Sequence, residues 1–239
     1  MTSQQEPDPA QSPHADRPES WPIYRPLIMA HDVGHVRDRS TAVVGGGSPF
    51  DSSMLGILDV RELPQGLYGS ARASALAVVD RQYLSNALIV ADLSNEASYG
   101  EFLYETFGSR VIGLQITRHG DGNNAERRPV GRGSMLVYTI GRTYLIDYFH
   151  SLMANDRVRM VKGPASESAF AQLANLEAEL RESGKVYKTP SGQHDDLGIS
   201  CCMLAWAFRH SHLLSWATMA FADRMPRAPQ PKVPWGAWT

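Results

Sequence analysis

The chain has 239 residues, of which 43% are hydrophobic and 20% are charged, a balance typical of a globular protein with one substantial core or at most two small domains. Its formal net charge of −2 excludes binding to nucleic acid through overall charge, so a DNA-binding function would depend on local basic patches. No apolar run reaches the roughly 18–20 residues of a membrane span. The two cysteines are neighbours, which argues against a structural disulfide and favours a cytoplasmic location.

The two ends of the chain differ in composition from its middle. Residues 1–20 are rich in Pro, Ser, Gln and Asp and contain almost no large apolar residues, so we predict a disordered N-terminal arm. Residues 225–239 are rich in Pro and are predicted to form a C-terminal tail. The single folded domain is therefore expected to span residues 21–224.

The first half of this domain begins with three short strands. Apolar and β-branched runs predict strands at Leu27–His31, Ser40–Gly45 and Met54–Glu62, and their short connections indicate an antiparallel meander. Helical and strand patterns then alternate, which indicates parallel strands with right-handed crossovers. The alternating elements are a helix at Tyr68–Ser85, a strand at Leu88–Ala91, a helix at Ser98–Phe107 and a strand at Val111–Thr117.

The second half contains a polar segment, residues 118–134, and a mainly helical remainder. We predict the polar segment to be a long loop or a hairpin. The elements predicted after it are a helix at Tyr138–Met153, an edge strand at Arg157–Val161, and helices at Ser166–Ser183, His194–His210 and Leu213–Asp223. The chain is thus predicted to be an α/β protein whose mixed sheet combines the meander with parallel strands and is flanked by helices.

Carboxylates recur where apolar elements end or begin. Asp32 follows the first strand, Asp92 follows the wholly apolar strand, and Asp195 and Asp196 open a late helix. If the first strand is central, the carboxyl ends of two parallel strands and the start of a helix packed on the sheet can meet at one edge. Oxygen ligands suit Mg²⁺ and Mn²⁺, and two such ions roughly 3.5–4 Å apart promote phosphodiester hydrolysis.

Each of these acids also has an ordinary structural interpretation. Asp32 could stabilise a turn before Gly34, and Asp92 could form an Asx turn with Ser94 or Asn95. Asp195 could be a helix N-cap, and Asp196 a first-turn acid that favours the helix dipole. Their shared pattern favours a metal site, since two apolar strands that both end in Asp, together with an Asp pair at a helix start, rarely coincide by chance.

At this point the sequence resembles the nuclease domain of phage large terminase subunits, which has the RNase H-like (Holliday-junction-resolvase-like) fold. The resemblance covers roughly residues 23–210, and it is carried by three segments, HDVGHVRDRSTAVVGG, ALIVADLSNEASYGEFLYETFGSRVIGLQIT and SGK…GQHDDLGISCCMLAWA. The metal ligands of that family correspond to Asp32, Asp92 and the Asp195/Asp196 pair, and which member of the pair binds metal directly stays open.

The resemblance implies a metal-dependent DNA endonuclease that cleaves concatemeric viral double-stranded DNA during genome packaging, with Mg²⁺ or Mn²⁺ in a two-ion site. No GxxxxGK[ST] phosphate loop occurs in these residues, so a separate packaging ATPase is expected as a partner, with a small terminase and a portal. The implied location is the cytoplasm, that of the host if the protein is viral. A junction resolvase and a non-catalytic DNA-binding or assembly module of the same fold are the alternatives.

Further residues are candidates for supporting roles. His194, Lys185 and Asp38 could support the carboxylates, although a surface lysine and a turn aspartate are the ordinary interpretations of the last two. A zinc site with His31, His35 and His194 is disfavoured because no cysteine joins them. Arginines near Asp32 and in the polar segment could contact DNA phosphates. These are Arg37, Arg39, Arg118, Arg127, Arg128 and Arg132.

Overall fold

The computed structural model describes residues 27–34, 39–48, 51–83, 87–118, 121–131, 133–182 and 184–222, and of residues 121–123 and 211–222 it describes the backbone. The predicted arm at 1–20 and tail at 225–239 lie outside these residues, so the domain limits of 21–224 stay a prediction. No helix in the described part of the chain is both long and apolar enough to cross a membrane.

An eight-stranded mixed sheet forms the centre of the molecule. The strands are β1 (Leu27–His31), β2 (Thr41–Gly47), β3 (Leu55–Glu62), β4 (Leu88–Asp92), β5 (Val111–Thr117), β6 (Asp121–Val130), β7 (Gly133–Gly141) and β8 (Val158–Met160). Their spatial order is β6-β7-β5-β4-β1-β2-β3-β8. β1, β2 and β3 pair antiparallel, and β1, β4, β5 and β7 pair parallel. The predicted meander, the parallel strands and the central position of the first strand are confirmed.

Helices cover both faces of this sheet. They are α1 (Gly69–Gln82), α2 (Tyr99–Phe107), α3 (Arg142–Ala154), α4 (Pro164–Ala174) and α5 (Asp196–Ala222). α1 and α2 pack with one set of strand residues, which includes Met29 and Ile89, and the remaining helices pack with the alternate set, which includes Ile28 and Val90. Because side chains alternate across a strand, each buried strand contributes to both cores, which explains its continuous apolar sequence.

α5 crosses the sheet in close contact with β2. A β-bulge between Val44 and Gly45 bends β2 at this point. A Cβ atom on Gly45 would lie 2.3 Å from the carbonyl oxygen of Gly56 and 2.9 Å from Leu204 Cδ2. Glycine is therefore required for α5 to approach β2 this closely.

Three predictions for the second half of the chain were wrong. Residues 138–141 belong to β7 rather than to a helix, since Tyr138 and Thr139 pair with Leu114 and Gln115 of β5. The helix predicted for Ser166–Ser183 ends at Ala174 and is followed by a separate hairpin of β9 (Glu177–Arg181) and β10 (Gly184–Lys188). The two helices predicted after residue 194 form the single helix α5.

Candidate metal centre

Two of the predicted carboxylates meet at the carboxyl edge of the parallel strands. The register of β1 and β4 aligns His31 with Ala91, so the next residues, Asp32 and Asp92, follow side by side. Ile28 and Ala30 of β1, like Leu88 and Val90 of β4, belong to the core beneath α5. Because side chains alternate along a strand, Asp32 and Asp92 occupy positions on that same face of the sheet.

The first turn of α5 brings the other two carboxylates to this edge. Ile199 N donates to the carbonyl oxygen of Asp195 at 2.8 Å, so the helix begins directly after Asp195. The hydroxyl of Thr41 on β2 lies 2.5 Å from Ser200 Oγ, and it donates to the carbonyl oxygen of Asp196 at 3.5 Å. These contacts fix the start of α5 against the sheet beside Asp32.

The four carboxylates line one open cleft of about 500 Å³. Four basic side chains also line it, namely Arg118 after β5, Arg142 at the start of α3, Arg181 on β9 and Lys188 on β10. The cleft therefore presents a group of acids at the sheet edge and a discontinuous rim of cations. This distribution suits a ligand that carries both a metal ion and an anionic backbone.

The electrostatic state of Asp32 shows how crowded the acids are. Burial raises the pKa of Asp32 well above its ordinary value, and repulsion from Asp92, Asp196 and Asp195 raises it further. Attraction by Arg142 acts in the opposite direction. Burial also raises the pKa of Asp92. Carboxylates that disfavour their own charges in this way are stabilised by a bound cation.

Asp92 makes the Asx turn that was the structural alternative for it. Its Oδ1 accepts a hydrogen bond from Ser94 N at 2.8 Å and another from Ser94 Oγ. Ser94 Oγ in turn accepts a 2.6 Å hydrogen bond from Ile116 N. The turn anchors one carboxylate oxygen to the end of β5 and fixes the side chain at the cleft, so the structural and the functional interpretations are compatible.

Arg142 is a cleft residue that sequence reasoning missed. Its Nη2 donates to Asp195 Oδ2 and, at 3.1 Å, to Thr189 Oγ1. Thr189 Oγ1 also donates to Asp195 Oδ2. One oxygen of Asp195 therefore accepts hydrogen bonds from two donors. The sequence carries no signal of this contact, because it shows Arg142 only as a basic residue next to a long apolar run.

A buried arginine, Arg72 on α1, supports the segment that follows Asp32. Its guanidinium donates to the carbonyl oxygens of Gly34 and Leu67 at 3.2 and 3.0 Å and pairs with Glu96 at 2.7 Å. It also lies 4.9 Å from the centre of the Tyr99 ring. An arginine in an amphipathic helix is usually exposed to solvent, so the hydrophobic pattern of α1 did not predict that Arg72 is buried.

Two of the predicted supporting residues, Lys185 and His194, do not line the acidic cleft. Lys185 pairs with Asp147 at 2.7 Å on the surface, and His194 is exposed beside Asp195 without lining the cleft. His31 is fully buried, with Nδ1 2.7 Å from the carbonyl oxygen of Thr41 and Nε2 3.3 Å from Tyr99 Oη. Asp38, together with His35 of the zinc alternative, lies outside the described residues.

The predicted DNA-binding arginines are spread over the molecule. Arg118 lines the cleft, and Arg39 pairs with Glu62 at 2.5 Å. Arg127 and Arg128 lie on β6 opposite Leu136 and Met135, toward the edge of the sheet away from the cleft. Arg37 and Arg132 lie outside the described residues.

The donor set fits hard divalent cations, because carboxylate oxygens are the ligands that Mg²⁺ and Mn²⁺ prefer. Asp32, Asp92, Asp195 and Asp196 are the residues that could hold them. Among the described residues, no three His, Cys, Asp or Glu side chains have the geometry of a preformed metal cage. One candidate ligand, Asp195, forms an ion pair with Arg142.

Comparison with known proteins gives matches at the level of structure. No protein-family profile matches the chain, and no curated protein matches its sequence. The large terminase nuclease of thermophilic phage G20c superposes with a TM-score of 0.54 and 20% identity over 77% of this chain and 84% of that one. The large terminase nuclease domain of Thermus phage P74-26 gives 0.51 and 19% over 77% and 81%.

A third solved structure, the large terminase nuclease domain of bacteriophage SPP1 with bound Mn, gives a TM-score of 0.46 and 14% identity over 75% of this chain and 84% of that one. The chain accordingly has the RNase H-like fold of phage large terminase nuclease domains.

Proposed function

We propose that this chain is a divalent-metal-dependent endodeoxyribonuclease. One observation carries the proposal: carboxylates from β1, β4 and α5, far apart in sequence, line a single cleft in a fold shared with terminase nucleases. A structural role alone gives no reason for the four acids to converge, since mutual repulsion and burial raise the pKa of Asp32. A cation-binding role explains why the four acids converge, because bound cations offset their mutual repulsion.

In the proposed site, Asp32 and Asp92 bind the ions from the sheet, and Asp195 and Asp196 complete the ligand set from α5. Two divalent ions held in this way supply the activation of a water molecule and the stabilisation of charge on the leaving oxygen. The chain's own contribution is positional: strand ends and a helix start hold the carboxylates more rigidly than loops would.

Double-stranded DNA is the proposed substrate. Arg118, Arg181 and Lys188 line the same cleft as the acids, so they could pair with phosphates of bound DNA. Such contacts are independent of sequence, so binding is expected to weaken steeply as the salt concentration rises. By analogy of fold with the phage terminase nucleases, we further propose that the substrate is concatemeric viral DNA in the cytoplasm of a host. A separate packaging ATPase, a small terminase and a portal would be the partners.

Replacing Asp32 by Asn tests the proposal, because this change keeps the shape of the side chain and removes its charge. With Mn²⁺ or Mg²⁺ and linear duplex DNA, we expect the cleavage rate to fall at least about a thousandfold, a range typical of the loss of one essential catalytic interaction. Asp59→Asn is the matched control, because Asp59 is likewise half-buried at the sheet but pairs with Arg61 and does not line the cleft. Unchanged cleavage by a folded Asp32→Asn protein would refute the assignment.

The choice of DNA substrate separates the nuclease alternatives. A terminase-like enzyme should cleave linear duplex, and a junction resolvase should prefer four-way junctions over duplex of the same sequence. A non-catalytic binding module should cleave neither substrate with any divalent ion and should bind DNA equally well in EDTA.

A further inference from the structure

Arg142 is a basic residue at the amino end of a helix, where a positive charge is not stabilised by the helix itself. It is the first residue of α3, and the first turn of that helix contains no acidic side chain. The amino end of a helix carries partial positive charge and disfavours a cation. The favourable partners of Arg142 lie across the cleft instead, at Asp195 and Thr189, about fifty residues further along the chain.

Arg142 lies in the cleft that all four acids line. It forms an ion pair with Asp195, and Asp32, Asp92 and Asp196 line the same space. Its side chain is 31% exposed and lines the open cleft, so it is not sealed in the core. It therefore supplies a positive charge to Asp195, as a bound cation would.

We propose that Arg142 is an internal counter-cation of the carboxylate cleft, which pairs with Asp195 in the metal-free protein and is displaced from it when a divalent cation binds. This inference rests on the proposed function, because it presumes that the carboxylates bind metal. It adds that metal binding is an exchange of partners at Asp195, and that the exchange frees a guanidinium at the cleft wall where an anionic substrate would lie.

Two considerations support an exchange over a permanent positioning role. Arg142 and Thr189 both donate to Asp195 Oδ2, so a cation that coordinates this oxygen competes with both donors. A positive charge in contact with a ligand also repels a divalent cation, and this repulsion is strong where the surroundings are partly dehydrated.

Measuring Mn²⁺ binding to the full chain after removal of metal with EDTA tests the proposal. By titration calorimetry, Arg142→Gln should bind Mn²⁺ at least about tenfold more tightly than the wild type, since the competing charge is gone. Arg142→Lys keeps the charge and should stay within about threefold of the wild type. Equal or weaker binding by a folded Arg142→Gln protein would overturn the proposal, because a residue that only positions Asp195 would weaken metal binding when lost.

Arg110→Gln is the matched control. Arg110 is also 31% exposed and pairs with a buried aspartate, Asp80, but it does not line the cleft. Its loss should lower the unfolding temperature and leave the Mn²⁺ affinity unchanged. A similar gain in affinity in this variant would attribute the effect to overall charge and would contradict the proposal.

A measurement on the wild type avoids any dependence on how the variants fold. In a Mn²⁺-soaked crystal, the Arg142 guanidinium should have left Asp195, whereas a crystal in EDTA should retain the ion pair. If Mn²⁺ binds in the cleft and the pair persists, the exchange is refuted and the proposed nuclease function stands. If the wild type binds no Mn²⁺ in the cleft by either method, both proposals fail.

Discussion

Two arginine–aspartate pairs lie at opposite edges of the same parallel strands. Asp80 and Arg110 lie at the amino edge, where Ala87 precedes β4 and Arg110 precedes β5. Asp195 and Arg142 lie at the carboxyl edge, next to the ends of these strands. The two arginine side chains are equally exposed, at 31%, so arginine exposure alone does not distinguish the pairs.

The two aspartates differ in how their oxygens are occupied. Asp80 is 3% exposed, and both oxygens bond to Arg110 while Oδ1 also accepts from Ala87 N at 3.2 Å. Asp195 is 13% exposed, and its donors act on Oδ2, with three other carboxylates around the same cleft. A carboxylate whose two oxygens both accept hydrogen bonds from the protein, as in Asp80, has a structural role. A carboxylate that lies among other acids and whose donors act on one oxygen, as in Asp195, is available to bind a cation.

The largest effect on stability is expected at the amino edge. Asp80→Ala removes the carboxylate and leaves the Arg110 guanidinium and Ala87 N without their partner, so unfolding free energy should fall by about 3–5 kcal/mol. Urea denaturation measures this loss, and cleavage per folded molecule should be unchanged. A loss below about 1 kcal/mol would mean that the amino-edge pair is not the structural contact inferred above.

The buried histidine beside Asp32 gives a second test, through pH. Burial lowers the pKa of His31 to about 4, from an ordinary value of 6.5, so the folded protein holds it neutral. The unfolded chain binds the proton first as pH falls, so stability is lost as pH decreases from 6.5 toward 4, by about 3 kcal/mol in all. His31→Asn cannot titrate, and the difference in unfolding free energy between it and the wild type should change across this window. A constant difference would contradict the inferred neutral state.

Asp32 should show the opposite pH dependence. Its pKa is raised in the folded protein, so its contribution becomes destabilising as pH rises above its ordinary value of 3.8. In EDTA at pH 7, Asp32→Asn should therefore be more stable than the wild type, by about 1–2 kcal/mol, the scale of one relieved charge burial. Near pH 4 the gain should shrink, because the wild-type residue is then protonated.

Metal reverses the sign of this effect. Mn²⁺ should stabilise the wild type more than Asp32→Asn, because the variant has lost a ligand charge. Asp59→Asn loses contacts with Arg61 and Tyr83 and should gain no stability in EDTA. If Asp32→Asn were destabilised in EDTA, Asp32 would resemble Asp80, and the contrast between the two edges would fail.

The sequence was most informative where strands are buried on both faces. β1 and β4 are almost wholly apolar, so their limits and the terminal position of Asp32 and Asp92 could be read directly. Sequence reasoning failed where a periodicity arose by chance. Leu173, Leu176 and Leu180 keep a helical spacing, but Leu180 lies on the β9–β10 hairpin and is 87% exposed.

The residues that sequence reasoning missed act through contacts between distant segments. Arg142 meets Asp195, and Arg72 meets Gly34 and Glu96, through tertiary packing that no local pattern encodes. Arg142 was also obscured because β7 and α3 follow each other without a break, so their residues merged into one predicted helix. Carboxylates at strand ends were visible because the surrounding apolar sequence marks them.

The central claim is that the carboxyl-edge acids form a divalent-metal site. A crystal of the full chain soaked with Mn²⁺ tests this most directly through anomalous scattering. We predict anomalous density between Asp32, Asp92 and the Asp195/Asp196 pair, and none at Asp80. Density elsewhere on the molecule, or none in the cleft at saturating Mn²⁺, would contradict the account.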